Sequence, residues 1–269
     1  MVIGILNRNM VRDKLKNKDY FDEFLKGKNN LISNNEQALS AGEVAEKKVE
    51  RAKYRNFGFR LESLVAEYSR GDSVQRMTNS IMEIIKHLPD ETHLVNTKVK
   101  TVIGGETKFL DQYLLEPYER MLRLLSFAYL LDVSDTDFET VVRIIDRDTV
   151  RDNLYEFIIK SRLPNRTQKN DTEYDPKSVV SKVYKKLREA VVQSDLSEAA
   201  KGVGQFLKKD FYHKHTGFYD FHNNNLNLYY GYWSIEAAVI TCILDLDDSS
   251  YRDSEFYPTD LVDYYRKKK

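Results

Sequence analysis

Apolar side chains recur along most of the chain at the three- and four-residue spacing of amphipathic helices, not at the alternate spacing of strands. The clearest early stripe consists of Phe57, Leu61, Leu64, Val65 and Tyr68. It predicts the last turns of a long helix that begins near Ala38. Gly71 suits a left-handed C-terminal cap for this helix. Asp72 with Gln75 three residues later is typical of a capping box, which opens a second helix to about residue 87.

A further stripe is so wide that little of its helix can face water, which predicts a buried central helix. Its apolar residues are Tyr118, Met121, Leu122, Leu124, Leu125, Phe127, Ala128, Tyr129 and Leu131. Narrower helical stripes occupy residues 138–145, 150–158, 180–191, 196–207 and 235–243. Pro258 predicts a short final helix over residues 260–265, because proline is favoured in a first helical turn.

Two segments depart from the helical pattern. Residues 98–102 alternate like a strand and precede the turn signal Gly104-Gly105, so we expect a loop or small hairpin over residues 95–109. The polar residues 164–176 are predicted to form an exposed linker.

The order of these segments predicts an all-α fold, a helical bundle of roughly nine to ten helices in two closely packed halves. We place the division near residue 110. Residues 1–110 then form an N-terminal helical domain and residues 111–269 a C-terminal helical domain. A chain of 269 residues is long enough to bury a sizeable core.

The overall charge narrows the classes of function. Lysine plus arginine and aspartate plus glutamate both total 42, so no excess of positive charge favours nucleic acid or anionic lipid. The lone Cys242 lies in an apolar run, where we expect it to pack in a reducing cytoplasm. No apolar run approaches the ~20 residues that cross a bilayer, and residues 2–6 are too few for a signal-peptide core. We expect neither membrane insertion nor export by a cleaved signal.

Asp90, Glu106 and Lys108 have the order of a metal-dependent nuclease motif, in which two carboxylates hold a cation and a lysine assists hydrolysis. Such a motif needs a mixed sheet to carry it, and only one strand candidate is nearby. We therefore favour a chance match and keep a nuclease as the alternative function.

Two other patterns could bind metal ions. Three histidines crowd one stretch, His213, His215 and His222. They lie among aromatic residues without a fixed ligand spacing, so we favour a surface loop. Asp245, Asp247 and Ser249 resemble the first ligands of a calcium loop, but the glycine and glutamate that such a loop needs at its sixth and twelfth positions are replaced. We expect no metal ion and no cofactor.

The strongest charge asymmetry lies near the C-terminus. Residues 245–263 carry seven acids against one base, Arg252, with aromatic residues interleaved. An acidic and aromatic surface suits contact with a basic protein. About half of the acids are expected only to cap helices or remain solvated. Our candidate binding residues are Asp245, Asp247, Asp248, Tyr251, Asp253 and Glu255.

Several segments resemble one known family. Residues 229–238, with the run Gly-Tyr-Trp-Ser-Ile-Glu-Ala-Ala, resemble the C-terminal signature of the PoNi immunity proteins, and residues 207–214, 244–251 and 257–262 extend the resemblance. Residues 64–72 and 118–131 resemble the family's N-terminal domain. The signature residues, which we expect to act mainly in the fold, are Tyr68, Gly71, Gly231, Tyr232, Trp233, Ser234, Glu236, Tyr257 and Pro258. We expect Ser234 to cap a helix and Glu236 to lie in its first turn.

The resemblance implies a cytoplasmic bacterial protein that protects its producer and kin from a PoNe-type DNase toxin delivered by a secretion system. It implies that the chain is no enzyme, binds the cognate toxin protein, and contacts neither nucleic acid nor membrane. A helical scaffold is the third reading. The pattern does not indicate an oligomeric state or the side of the toxin that is bound.

Overall fold

The computed structural model describes residues 10–93, 98–167, 179–214 and 216–269. These residues are mostly helical with one small two-stranded sheet, so the predicted all-α class is confirmed. The described residues form two compact units, one from residues 10–93 with 220–231 and the other from residues 98–167, 179–214, 216–219 and 232–269. The predicted division into two domains near residue 110 stays a prediction, because two compact units do not show which segments fold as separate domains.

The first unit contains α1 (Lys18–Ser40), α2 (Glu46–Arg70), α3 (Val74–Glu91) and a single 3₁₀ turn (Phe221–Asn223). The second contains β1 (Lys98–Ile103), β2 (Glu106–Asp111), α4 (Leu115–Leu130), α5 (Asp135–Arg147), α6 (Asn153–Arg162), α7 (Val179–Val183), α8 (Lys185–Ala190), α9 (Leu196–Gln205), a π-helical turn (Phe206–Asp210), α10 (Ile235–Leu244) and α11 (Thr259–Lys268). No helix within these ranges is both long enough and apolar enough to cross a membrane.

Two predictions for the first unit were wrong in detail. The helix before Gly71 does not begin near Ala38, because α1 ends at Ser40 and Gly42 turns the chain with a φ of +70° before α2 begins. The N-terminal cap of α3 is Ser73 rather than Asp72, since the Ser73 side chain accepts a hydrogen bond from the Arg76 N–H group. The helix also continues past residue 87 to Glu91.

Gly71 ends α2 in the left-handed conformation that the sequence predicts, with a φ of +97°. Residues 10–13, which precede α1, lie against this end of the helix. Arg12 Nη1 donates to the Tyr68 and Asp72 carbonyl oxygens at 2.9 and 2.8 Å, and its guanidinium lies 4.5 Å from the Tyr68 ring centre. A β-carbon on Gly71 would lie 2.3 Å from the Met10 carbonyl oxygen. Gly71 is therefore required both for its dihedral angle and for this close approach.

Replacing Gly71 with alanine is expected to lower the free energy of unfolding by about 2–3 kcal/mol, because a left-handed alanine is strained and its methyl group meets backbone. Gly42→Ala is the matched control, since Gly42 also has a positive φ but open space around it. It should cost only about 1 kcal/mol. Urea denaturation measures both, and equal losses would show that the contact with Met10 contributes nothing.

The second unit is built around α4, whose side chains are buried almost throughout, as the wide stripe predicts. Helices α5, α6, α10 and α11 pack against it. The predicted hairpin is present, with Gly104 and Gly105 in its turn. Its Thr101 and Leu110 are buried.

The predicted linker at residues 164–176 lies largely outside the described residues. Its described start is anchored rather than freely exposed. Arg166 donates through both terminal nitrogens to the Asp146 carboxylate at 2.8 and 2.6 Å and also binds buried Glu156, at 2.8 Å from Nη2.

Candidate protein-binding surface

The acidic loop, which we define as residues 245–257, connects α10 to α11. It begins where Asp245 ends α10 in the left-handed conformation, with a φ of +50°. Leu246 N–H then donates to the Thr241 carbonyl at 3.0 Å, which places the Leu246 side chain in the core. Asp247 Oδ1 accepts the Ser249 N–H at 3.0 Å. This backbone hydrogen bond lowers the pKa of Asp247, so its exposed carboxylate is ionised at neutral pH.

Asp248 is buried and holds the acidic loop together. Its Oδ2 accepts from Arg252 Nη1 at 2.9 Å and from the Tyr257 hydroxyl at 3.1 Å, while its Oδ1 lies 3.2 Å from Arg266 Nη1. Arg252 also reaches Asp263 at 2.5 and 2.6 Å. Asp248 therefore acts inside the fold, and its assignment to a binding surface is corrected, because only 5% of the residue is exposed.

Tyr251 requires the same correction. It is 5% exposed, its hydroxyl lies 2.9 Å from Thr241 Oγ1, and its ring meets Tyr257 edge to face at 5.2 Å. Burial raises the pKa of Tyr251 to about 12.

The four remaining candidate residues are exposed and form no ion pair with any side chain in the described ranges. They are Asp245, Asp247, Asp253 and Glu255.

A groove of about 650 Å³ lies between the acidic loop and the end of α9. Asp253, Glu255 and Phe256 line it on the loop side. Lys201 and Lys208 line it on the helix side, and both are exposed. The groove therefore has walls of opposite charge, with an aromatic ring on the acidic side.

The helical wall of the groove changes from α-helix to π-helix at Phe206. Such turns are rare and occur frequently at functional sites. Just before it, Gly204 lies against the loop, and a β-carbon there would be in ordinary van der Waals contact with Tyr251 Cδ1, at 3.4 Å. The buried tyrosine is thus packed directly beneath the groove.

Ser234 of the Gly-Tyr-Trp-Ser signature connects the start of α10 to this loop. Ser234 caps α10 as predicted, because its hydroxyl accepts the Ala237 N–H at 3.2 Å. The Ser234 N–H in turn donates to the Phe256 carbonyl at 2.7 Å. Gly231 adopts a φ of +115°, and Tyr232, Tyr257 and Pro258 are buried. Trp233 is half-buried.

Glu236 belongs to a buried group of charges that was not predicted from the sequence. Its side chain is fully buried, and its Oε1 lies 3.7 Å from Arg123 Nε on α4. Glu119, one turn earlier on α4, is also buried. Glu119 and Arg123 were visible as two charged residues, four apart, inside the widest apolar stripe. That placement was the signal for a buried ion group.

Burial raises the pKa of Glu119 from 4.5 to about 7, although Arg123 partly opposes this. Burial also raises the pKa of Glu236. One arginine thus faces two carboxylates in a site that disfavours charge. Protonation of one carboxyl is the favourable state because two buried anions share a single cation.

Glu119→Gln is expected to raise the free energy of unfolding by about 3 kcal/mol at pH 8 and to leave it unchanged near pH 4.5. The folded protein holds a proton on Glu119 between its unfolded pKa and its folded pKa. Wild-type stability is therefore lost as pH rises through this window, and a neutral glutamine avoids the loss. Urea denaturation across this range measures the effect, with exposed Glu139→Gln as control. Parallel pH profiles for wild type and Glu119→Gln would contradict the assignment.

The nuclease residues do not have the scaffold that their motif requires. Asp90 is exposed in the last turn of α3, whereas Glu106 and Lys108 lie on the two-stranded hairpin. The described residues contain no larger sheet.

The structure describes only part of the histidine stretch. His215 lies outside the described residues, and His222 packs beside Tyr229 at 6.2 Å between ring centres.

Two family models match the chain in succession. The model described as "PoNe immunity protein (PoNi), N-terminal" matches residues 12–143, and that described as "PoNe immunity proteins (PoNi), C-terminal" matches residues 150–261. An α-helical chain with both regions is, by class, an immunity protein. More particularly, it belongs to the PoNi family of PoNe immunity proteins, as the signature segments predicted.

A solved structure shares the fold. It is the crystal structure of protein PA2201 from Pseudomonas aeruginosa, which superposes with a TM-score of 0.64 at 15% sequence identity. The match covers 97% of this chain and 92% of that chain. At this identity the likeness concerns the fold alone. No curated protein matches the chain in sequence.

Proposed function

We propose that this protein binds and neutralises a cognate PoNe-type DNase toxin and thereby protects the cell that makes it. It does so as a binding partner, without catalysing a reaction. The membership in the PoNi family carries this proposal. Because the toxin's target is DNA, the site of action is the cytoplasm of the protected bacterium.

We assign the toxin contact to the exposed acids of the acidic loop and the groove beside them. A DNase must present basic side chains to the phosphates of DNA. Asp247, Asp253 and Glu255 are exposed and form no ion pair among the described residues, so they can attract such a surface. Complementary charges of this kind accelerate association and help to select the partner.

The opposite wall of the groove fits the same type of partner. A metal-dependent nuclease also carries carboxylates, because these hold its catalytic cation. Lys208 can pair with an acidic side chain of the partner, and Lys201, which pairs with Glu198 at 2.6 Å, is exposed beside it. Phe256 offers an apolar contact on the acidic wall. A groove with both signs of charge therefore matches a nuclease cleft better than it matches a uniformly basic surface.

The rigid base of this surface suits tight binding. Asp248, Tyr251 and the Ser234 N–H fix the acidic loop to the core by hydrogen bonds. A loop that is already ordered loses less conformational entropy when the partner binds. The signature residues thus support the contact surface, while the exposed residues provide the contacts themselves.

Coexpression with a PoNe-type toxin from the same genome tests this function. Cells that make the toxin alone should die, whereas cells that also make this protein should survive, and the two proteins should copurify. An unrelated helical immunity protein serves as the control for specificity. Survival no better than with that control, together with no copurification, would contradict the proposed function.

A further inference from the structure

Three side chains of the first unit meet away from the acidic loop. Glu36 on α1 and His87 with Glu91 on α3 each place a potential ligand atom within 4.8 Å of the others. His87 and Glu91 are four residues apart, so they lie on the same face of α3. Glu36 is exposed, His87 is half-buried and Glu91 is buried, so the group extends inward from the surface.

The buried end of this group has an unused acceptor. Glu91 is 6% exposed, and its Oε2 has no hydrogen-bond partner among the described residues. A buried carboxylate oxygen without a donor is costly, because it has lost water and gained nothing in return. The position of this oxygen beside an imidazole and a second carboxylate is explained if all three share a cation.

Arg60 on α2 positions the two carboxylates. Its Nη2 donates to Glu36 Oε1, and its Nε lies 3.4 Å from Glu91 Oε1. Each carboxylate therefore meets Arg60 through one oxygen, and the second oxygen of Glu91 stays available. Carboxylates that bind metal ions are commonly held by such outer hydrogen bonds.

The local charge leaves room for a divalent cation. Glu36 and Glu91 can carry two negative charges beside the single charge of Arg60, and Glu83, which also pairs with Lys86, places a carboxylate oxygen 3.7 Å from His87 Nε2. An imidazole with two carboxylates suits zinc, whereas magnesium and calcium prefer oxygen ligands alone. Ligands of a tetrahedral zinc ion stand about 3.4 Å apart, so the three ligand atoms, which lie within 4.8 Å of one another, must draw closer when zinc binds.

We propose that Glu36, His87 and Glu91 form a zinc-binding site that joins α1 to α3, with Arg60 as the positioning residue. Three protein ligands leave a coordination position for water. The site lies in the first unit, and it is independent of the toxin contact proposed for the second. The sequence pattern does not reveal this site, because Glu36 is distant from His87 along the chain and the histidine-rich stretch lies elsewhere.

Zinc titration of the full-length, chelator-treated protein by calorimetry tests this site. We expect one equivalent of Zn²⁺ to bind and to raise the thermal midpoint of unfolding. His87→Ala and Glu91→Gln should each weaken binding at least about tenfold, as loss of a ligand requires. His93→Ala is the matched control, since this exposed histidine lies just beyond α3, and it should bind zinc like wild type.

Circular dichroism should be used to check that each variant is folded. Because His87 is only half-buried, we expect α3 to tolerate its replacement by alanine. Binding of zinc by His87→Ala as tightly as by wild type would overturn the proposal, because the metal would then be held by other histidines. Failure of the wild-type protein to bind one equivalent would overturn it as well. Neither result would bear on toxin neutralisation.

Discussion

A variant with Asp247, Asp253 and Glu255 all replaced by lysine should associate with the toxin at least about 100-fold more slowly than wild type. The three carboxylates are exposed and form no ion pair in the described part of the chain, so their reversal turns attraction for a basic nuclease into repulsion. Asp245 is left unchanged because it has a positive φ, so a substitution there would also strain the backbone. Stopped-flow association at low and high salt measures the effect.

The control carries the same change in net charge at another place. Glu23, Glu43 and Glu139 are exposed, and their joint replacement by lysine should change association only slightly. The salt dependence of the association rate should fall in the acidic-loop variant and persist in the control, since salt screens the charges that steer the encounter. Equal slowing in the two variants would show that overall charge matters and that the acidic loop is not the contact.

Asp248→Ala is expected to lower the free energy of unfolding by about 4 kcal/mol. The change removes the carboxylate that Arg252, Arg266 and Tyr257 share and leaves their donors partly buried without an acceptor. It should also loosen the acidic loop, so toxin association slows although no contact residue has changed. Urea denaturation measures the stability.

Asp247→Ala is the sharpest comparison for this variant, because it removes the neighbouring aspartate from the exposed side of the same loop. We expect it to cost no more than about 1 kcal/mol, the value of its hydrogen bond to Ser249. If Asp248→Ala proves as mild as Asp247→Ala, the buried network does not hold the loop. Its assignment to the fold would then be wrong.

These two aspartates show the limit of what the sequence could predict at the site. The acidic and aromatic character of the segment was evident, but Asp247 and Asp248 are neighbours in a loop without periodicity. Burial in a helix can be deduced from spacing, whereas burial in a loop depends on the cations that reach it. Arg266 comes from α11 and could not be placed beside Asp248 without the structure.

The fold was predictable where the apolar stripe was complete. Helix α4 and the Ser234 cap of α10 were predicted from spacing and local hydrogen-bonding chemistry. Helix α1 was not recognised because its buried face includes Lys28, which pairs with Glu62 on α2 at 2.5 Å. A lysine in the buried face interrupts the apolar stripe, and the partner that permits its burial lies far along the chain.

The signature of the family also becomes intelligible in physical terms. Its Gly231, Ser234 and Glu236 provide a left-handed turn, a helix cap and a buried carboxylate, none of which depends on the identity of a partner. Recognition of one toxin among many requires residues that can differ between relatives. The exposed acids of the loop meet this need because their replacement costs the fold little.

Inhibition is tested most directly by titrating the purified protein into a DNA-cleavage reaction of its purified toxin. We expect cleavage to fall in proportion to added protein and to stop near equimolar amounts, while the protein alone leaves DNA intact with metal present. Undiminished cleavage at a large excess of this protein would show that it does not neutralise the toxin, and DNA cleavage by the protein itself would show that it is an enzyme.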